Sequence, residues 1–227
     1  MKVIKDIRIY KSEIENIDGN RLPHDCINKD TNVIIHRIVM KLRELDFSFG
    51  EFDHLYINFS VCLPNEEIRP AKRNIDQYHP WYRYYDVGVS HELFQILEFS
   101  ESKGIIIDLI ERVLIRFAAD EQTKRSVKES ISVALTQGDQ MLMRFKEKKS
   151  TKNSAVVFLR YLDSCIYEPI VCIYDNDGQE LMRRVLPQTL DLLSIGDIQL
   201  SSKRVTIKPR KNVFTKDLEP VTFEITM

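Results

Sequence analysis

Few side chains in this sequence fall at the spacings that chemistry requires. Of the histidines His24, His36, His54, His79 and His91, only His24-x-Cys26 brings two potential ligands close together. A structural zinc site needs three or four ligands, with a close pair on a turn or helix, so this spacing predicts no metal centre. Asp175-x-Asp177-Gly178 shares part of the calcium-loop pattern, but that loop needs its glycine at the sixth position and a bidentate Glu near the twelfth. Here Gly178 stands fourth, which fits a hairpin turn. Asp139, Glu147 and Lys149 could hold a metal and a water in the manner of a nuclease. Glu147, however, lies within Lys146-Glu147-Lys148-Lys149, the pattern of a solvated strand end leading into a turn. There is no Gly-x-Ser-x-Gly and no glycine-rich phosphate loop, and the scarcity of glycine argues against nucleotide cofactors, whose pyrophosphate needs close backbone approach. The sequence therefore offers no catalytic residue, no metal ligand set and no cofactor site.

Recognition is the chemistry that remains. Gln77-Tyr78-His79-Pro80-Trp81-Tyr82-Arg83-Tyr84-Tyr85-Asp86 holds the only tryptophan and four of the 9 tyrosines. Tyr, Trp and Arg dominate binding hot spots, because they supply wide contact area at low conformational cost. In the functional reading Tyr78, His79, Trp81, Tyr82 and Tyr84 are partly exposed anchors, and Arg83 and Asp86 fix orientation through charged hydrogen bonds. In the competing reading Pro80 and Trp81 pack onto a sheet and the tyrosines alternate in and out. Two basic groups offer another surface: Lys146, Lys148, Lys149 and Lys152, then Lys203, Arg204, Lys208, Arg210, Lys211 and Lys216. If strands bring these together, they could contact an acidic protein partner or the phosphates of a nucleic acid. Lysine at strand edges also serves simply to discourage edge-to-edge pairing.

Composition narrows the partner class. The 227 residues are 43% apolar and 30% charged, the make-up of a folded soluble protein. Lys and Arg (33) nearly balance Asp and Glu (34), so no whole-molecule field draws the chain to nucleic acid or an anionic membrane. Met1 to Arg8 lacks the apolar stretch of a signal peptide, and no segment approaches the roughly 18 apolar residues of a membrane span. These features predict a cytoplasmic protein without membrane contact, in which Cys26, Cys62, Cys165 and Cys172 are free, buried thiols.

The elements that must position the aromatic segment can be read from periodicity. Val3 to Ile9 predicts a first strand. A helix capped by Asp30 or Thr31 follows over 31–45, and His54 to Cys62 reads as a strand closed by Pro64. From Pro64 to Ser90 little periodicity remains, although Tyr85 to Val89 could be a short strand. Ser90 caps a brief helix through Leu97. Helices over 104–118 and 121–137 follow, the second capped by Asp120 and ended by Gly138. Beyond residue 140 the pattern changes to strands: 141–145, 155–161, 170–174, 179–185, 204–208 and 221–225, with Asp175-Asn176-Asp177-Gly178 as a hairpin turn. The expected fold is a single α+β domain over 1–227, an antiparallel sheet built mainly from C-terminal strands and packed with three or more helices.

The order of these elements, together with Tyr56-x-Asn58-x-Ser60, His79-Pro80-Trp81-Tyr82-Arg83-Tyr84-Tyr85-Asp86-Val87-Gly88 and Lys208-Pro209-Arg210-Lys211, resembles small α+β cytosolic proteins of Firmicute-type bacteria. Among these are immunity proteins encoded beside polymorphic or contact-delivered toxins. That resemblance implies a non-enzyme that binds and neutralises one toxin domain. The sequence reading is thus a protein-binding module whose partner could be a toxin. One alternative is a nucleic-acid-associated protein using the C-terminal basic strands; another is an enzyme whose site is assembled from scattered residues, since active sites need not show local motifs.

Overall fold

The structure is a computed structural model that describes residues 1–22, 27–213 and 215–225. The chain divides into two compact units, Met1–Gly138 and Asp139–Met227. The fold is α+β, as the sequence predicts, with four α-helices and sheets that include antiparallel pairings.

The first unit carries β1 (Asp6–Ser12), α1 (Lys29–Glu44), β2 (His54–Ser60), β3 (Ile68–Pro70), β4 (Tyr82–Gly88), α2 (His91–Ile96), α3 (Lys103–Ile115) and α4 (Glu121–Gln137). Its sheet has the order β1-β2-β4-β3. β2 pairs parallel with both β1 and β4, and only β3–β4 is antiparallel. This parallel pairing is what the sequence reading did not foresee. Parallel neighbours need a crossover: α1 supplies it between β1 and β2, and residues 61–81, which carry β3, supply it between β2 and β4. Strand residues on one side, Leu55, Ile57, Phe59 and Val87, have no exposed surface, and Ile38, Leu42, Ile106, Ile110 and Leu114 of the helices are equally buried.

Caps fix the helix starts. The Ser90 hydroxyl accepts from the Leu93 amide at 3.2 Å and the Asp120 carboxylate from the Thr123 amide at 2.7 Å, both at the expected positions. At α1 the cap is Asn28 rather than Asp30 or Thr31; its side-chain oxygen accepts from the Asp30 amide at 2.8 Å. Gly88 ends β4 where no other residue fits, since a Cβ there would stand 1.8 Å from the Pro64 carbonyl oxygen.

The second unit is built from strands: β5 (Met143–Lys149), β6 (Asn153–Tyr161), β7 (Tyr167–Asp175) and β8 (Glu180–Val185) form an antiparallel meander. β9 (Asp197–Leu200), β10 (Arg204–Lys208) and β11 (Val221–Glu224) form a second antiparallel sheet, in the order β11-β10-β9. β9 was not foreseen; Asp197-Ile198-Gln199-Leu200 is too short for alternation to stand out. The Asp175 turn is a hairpin, with its carboxylate accepting from the amides of Asp177 (2.9 Å) and Gln179 (2.8 Å). Cys172 is buried as expected, but Cys62 is exposed. Cys62, Cys165 and Cys172 are all free. The His24-x-Cys26 spacing lies outside the described residues. No helix among the described residues is long and apolar enough to cross a membrane.

Candidate functional site

In a sheet, paired residues on neighbouring strands project to the same side, and successive residues to opposite sides. The registers Arg8↔Tyr56↔Tyr84, Tyr10↔Asn58↔Asp86 and His54↔Tyr82 therefore collect one set of side chains on one face. Apart from Gly88 at the end of β4, every alternate residue of the three strands is aromatic or polar there. The opposite face takes Ile7, Ile9, Leu55, Ile57, Phe59 and Val87 into the core.

The rings on the polar face pack against one another. Tyr56 lies at the centre, with ring centroids 4.8 Å from Tyr84, 4.9 Å from Tyr82 and 5.9 Å from Tyr10. Such tilted and edge-on contacts place the positive ring edge on the negative ring face. Arg8 lies over Tyr56 at 5.6 Å and Arg73 over Tyr84 at 5.3 Å, both within cation–π range. Burial pushes the Tyr56 phenol well above its ordinary range, and a hydrogen bond with Tyr82 adds to the shift. Burial likewise raises Tyr84. These phenols remain neutral hydrogen-bonding groups near pH 7.

The seven residues predicted from sequence divide by position. Tyr82, Tyr84 and Asp86 lie on the polar face. His79 stacks on Tyr82 at 4.8 Å with the planes 7° apart, extending the aromatic surface past the start of β4. Trp81 is half-buried and meets His79 and Tyr82 edge-on, with the Lys2 ammonium 5.8 Å from its ring. Tyr78 is 76% exposed. The Asp76 carboxylate accepts from the Tyr78 amide at 2.7 Å and the His79 amide at 3.1 Å, which fixes the turn. The Tyr78 amide first, and then the His79 ring, hold this carboxyl below its usual range. Arg83 projects to the other face, donates to the carbonyls of Pro80 and Tyr82, and lies over Phe52.

Asp86 is not at the surface. It is 5% exposed, and its Oδ1 accepts from Asn16 Nδ2 at 2.8 Å and from Asn58 Nδ2 at 3.0 Å. Asn16 Oδ1 in turn accepts from Arg73 Nε, and Arg73 Nη2 donates to the Asn20 carbonyl. A buried acid is thereby connected through one amide to a guanidinium that rests on Tyr84. Beside it is a hollow of about 170 Å³ lined by Tyr10, Asn20, Arg21, Leu22, Arg73 and Tyr84. Sequence reasoning missed Tyr10, Asn16, Asn58, Tyr56 and Arg73 as members of this site. The detectable signal was the alternation Arg8-x-Tyr10 and Tyr56-x-Asn58, once the parallel register is known.

Just before β2, Asp53 is 3% exposed and is bonded by Lys5 Nζ at 2.7 Å and His54 Nδ1 at 2.6 Å. Burial alone would raise the Asp53 pKa. The hydrogen bonds from Lys5 and His54 outweigh it and hold the carboxyl below its ordinary range.

The basic residues of the second unit do not act as one patch. Lys146 Nζ donates to the Ile195 carbonyl at 2.9 Å and also to that of Gly196, and burial pushes its pKa down. Lys203 and Arg204 lie at one end of β10, and Lys208, Arg210 and Lys211 at the other. The Asn153 amide donates to the Ser201 carbonyl at 3.3 Å, which brings the turns bearing Lys152 and Lys203 together. Comparison of the chain with protein-family models, curated proteins and solved structures found no match in any of the three.

Proposed function

We propose that the chain is a non-catalytic protein-binding module whose interface is the aromatic face of the β1-β2-β4 sheet together with the turn from Tyr78 to Trp81. The observation that supports this reading is the stack of half-buried rings: Tyr82 is held between Tyr56 and His79, and Tyr84 between Tyr56 and Arg73. Rings fixed in this way lose little freedom on binding, which is what gives aromatic anchors their share of affinity. The resemblance to immunity proteins makes a toxin domain encoded beside this chain's gene the first partner to test, in a bacterial cytoplasm. The test is calorimetric titration of that domain into the wild-type protein and into Tyr82→Ala and Tyr84→Ala. Each substitution is expected to weaken binding by about 2 kcal/mol, roughly thirtyfold, while the fold survives. Full affinity in both, with unchanged melting, would place the interface elsewhere.

A second reading, nucleic-acid association, is favoured by the paired turns that bear Lys152 and Lys203. If it holds, replacing Lys152 and Lys203 with Ala weakens binding and lowers its salt dependence by about one counterion for each phosphate no longer neutralised, and the triple replacement of Lys208, Arg210 and Lys211 tests whether the surface extends to the other end of β10. Absence of retention on DNA or RNA at low salt would rule it out.

A further inference from the structure

We propose that the hollow beside Tyr84 is a receptor for a side-chain carboxylate of the protein partner, with Arg73 and Arg21 as its cations. This deepens the protein-binding reading of the aromatic face and rests on it.

Charge sets the ligand class. Among the described residues the lining comprises two guanidinium groups, two phenols, one amide and one leucine, and no carboxylate. Neither Arg73 nor Arg21 makes an ion pair to a described residue. Asp76 is the nearby acid that the Tyr84 phenol senses, and it is already bonded to two backbone amides and the His79 ring.

Arg73 is held from behind. The buried Asp86 carboxylate can only accept, so it turns the Asn16 Nδ2 group towards itself. Asn16 then presents its oxygen to Arg73 Nε, while Asn20 takes Nη2 and Tyr84 supports the guanidinium plane. Two of the three guanidinium nitrogens are thus committed to orientation. Among the described residues no carboxylate engages the third, Nη1. A cation fixed in this way binds an anion with little further loss of side-chain freedom.

Size sets the scale of the ligand. About 170 Å³ corresponds to roughly five or six water molecules at their liquid volume, and lies below the roughly 300 Å³ at which pockets take drug-sized molecules. A carboxylate on a short stem fits. A nucleotide does not. The aromatic rim identifies the carrier as a protein surface that covers Tyr82 and Tyr84 while one Asp or Glu enters the hollow.

The experiment uses fluorescence anisotropy of a labelled decapeptide rich in Glu, read against its Gln counterpart, a phosphoserine counterpart and inorganic phosphate at low ionic strength. The Glu peptide is expected to bind wild type and the Gln peptide not. Arg73→Ala should weaken Glu-peptide binding at least tenfold and Arg21→Ala severalfold, whereas Arg125→Ala, on the exposed side of α4 and not part of the hollow's lining, leaves it unchanged. Arg73→Lys, which keeps the charge but not the fork, should fall between wild type and Arg73→Ala. If Arg73→Ala does not fold, the exposed Arg21→Ala decides alone. Equal affinity in the Arg73 and Arg21 variants, equal loss in Arg125→Ala, or tighter binding of phosphoserine peptide or phosphate overturns the proposal. If Tyr82→Ala and Tyr84→Ala abolish binding of the protein partner while Arg73→Ala and Arg21→Ala leave it intact, the receptor falls and the aromatic interface stands. If the Glu peptide binds through Arg73 but both tyrosine variants retain the partner, the interface reading falls instead.

Discussion

On the β1-β2-β4 face, charge is arranged in depth. Asp86 is buried, Asn16 lies between, and Arg73 sits above on Tyr84, so the acid orients the arginine without occupying its outer side. On the outward face of β5, β6 and β7 charge is arranged side by side. Arg144 pairs with Glu147 at 2.8 Å and Lys149 reaches the same carboxylate at 3.6 Å, around a hollow whose floor includes Val156, Phe158 and Tyr174. That hollow, about 460 Å³, is much larger than the one beside Tyr84. Its charges nevertheless neutralise one another within a side chain's length, and solvent screens what remains. On the receptor proposal above, the difference between the two hollows lies not in volume but in an unmatched, pre-oriented charge held by a buried partner.

The largest expected effect tests the buried member. Asp86→Ala leaves the amides of Asn16 and Asn58 without their shared acceptor and removes the support for Arg73. The cost should be about 3 kcal/mol or more, since orphaned buried polar groups carry their full desolvation penalty. Chemical unfolding followed by Trp81 fluorescence, which reports the first unit alone, measures it. A loss under about 1 kcal/mol would make the two faces equivalent and the contrast between them void.

Acid sensitivity should also separate the units. Burial lowers the pKa of His36 on α1 to about 4, from an ordinary 6.5. Between these values the unfolded chain binds a proton that the folded chain refuses, so stability is full above pH 6.5 and is lost as pH falls towards 4. The loss is on the order of 3 kcal/mol. Asp53, held below its ordinary 3.8, adds stability above that value which disappears only at still lower pH. In His36→Gln the decline between pH 6.5 and 4, read by Trp81 fluorescence, should be absent. An unchanged decline would place the sensitive group elsewhere.

What could be read from the sequence follows the range of the interactions. Ser90, Asp120 and the Asp175 turn were legible because a cap or hairpin is specified within four residues. The exchange of Asp30 for Asn28 as the α1 cap is a shift of the kind that several adjacent polar residues permit. The parallel register was not legible, because nothing local to His54 or Tyr82 states which strand lies beside it. With it went the site: Tyr10, Asn16, Asn58 and Arg73 come from four separate segments, and only the register and the loops over it bring them to Tyr84 and Asp86. The aromatic segment was visible by composition, but the division of Arg83 from Tyr82 and Tyr84 required the strand.

An intermediate effect is expected at Lys146, a half-buried and committed charge of the second unit. Lys146→Met keeps the aliphatic stem but leaves the Ile195 and Gly196 carbonyls without their donor. The expected cost is about 1–2 kcal/mol in thermal unfolding followed by circular dichroism. Binding of DNA or RNA, if any occurs, should not change. A fall in nucleic-acid binding greater than that from Lys208→Ala would mean that the lysine is free in solution.

The smallest effect is expected where charges lie side by side. Glu147 is partly exposed and shared by Arg144 and Lys149, and Glu180 pairs with Arg183 at 2.8 Å across a well-exposed surface. Such pairs gain little, because water already solvates both partners and holding two long side chains together costs entropy. Glu147→Ala and Glu180→Ala should each change stability by less than about 1 kcal/mol, and the change should shrink further in roughly 0.5 M salt as screening shortens the reach of each charge. Glu147→Ala also creates what this face lacks, an unmatched Arg144 and Lys149 above the larger hollow. If an unpaired cation alone were sufficient for a receptor, the variant would bind the Glu-rich peptide as tightly as the wild-type Tyr84 hollow does. Measured in an Arg73→Ala background, that binding should instead stay at least tenfold weaker, because nothing beneath Arg144 holds its guanidinium in place. Equal affinity would show that orientation by a buried acid contributes nothing, and that net charge decides.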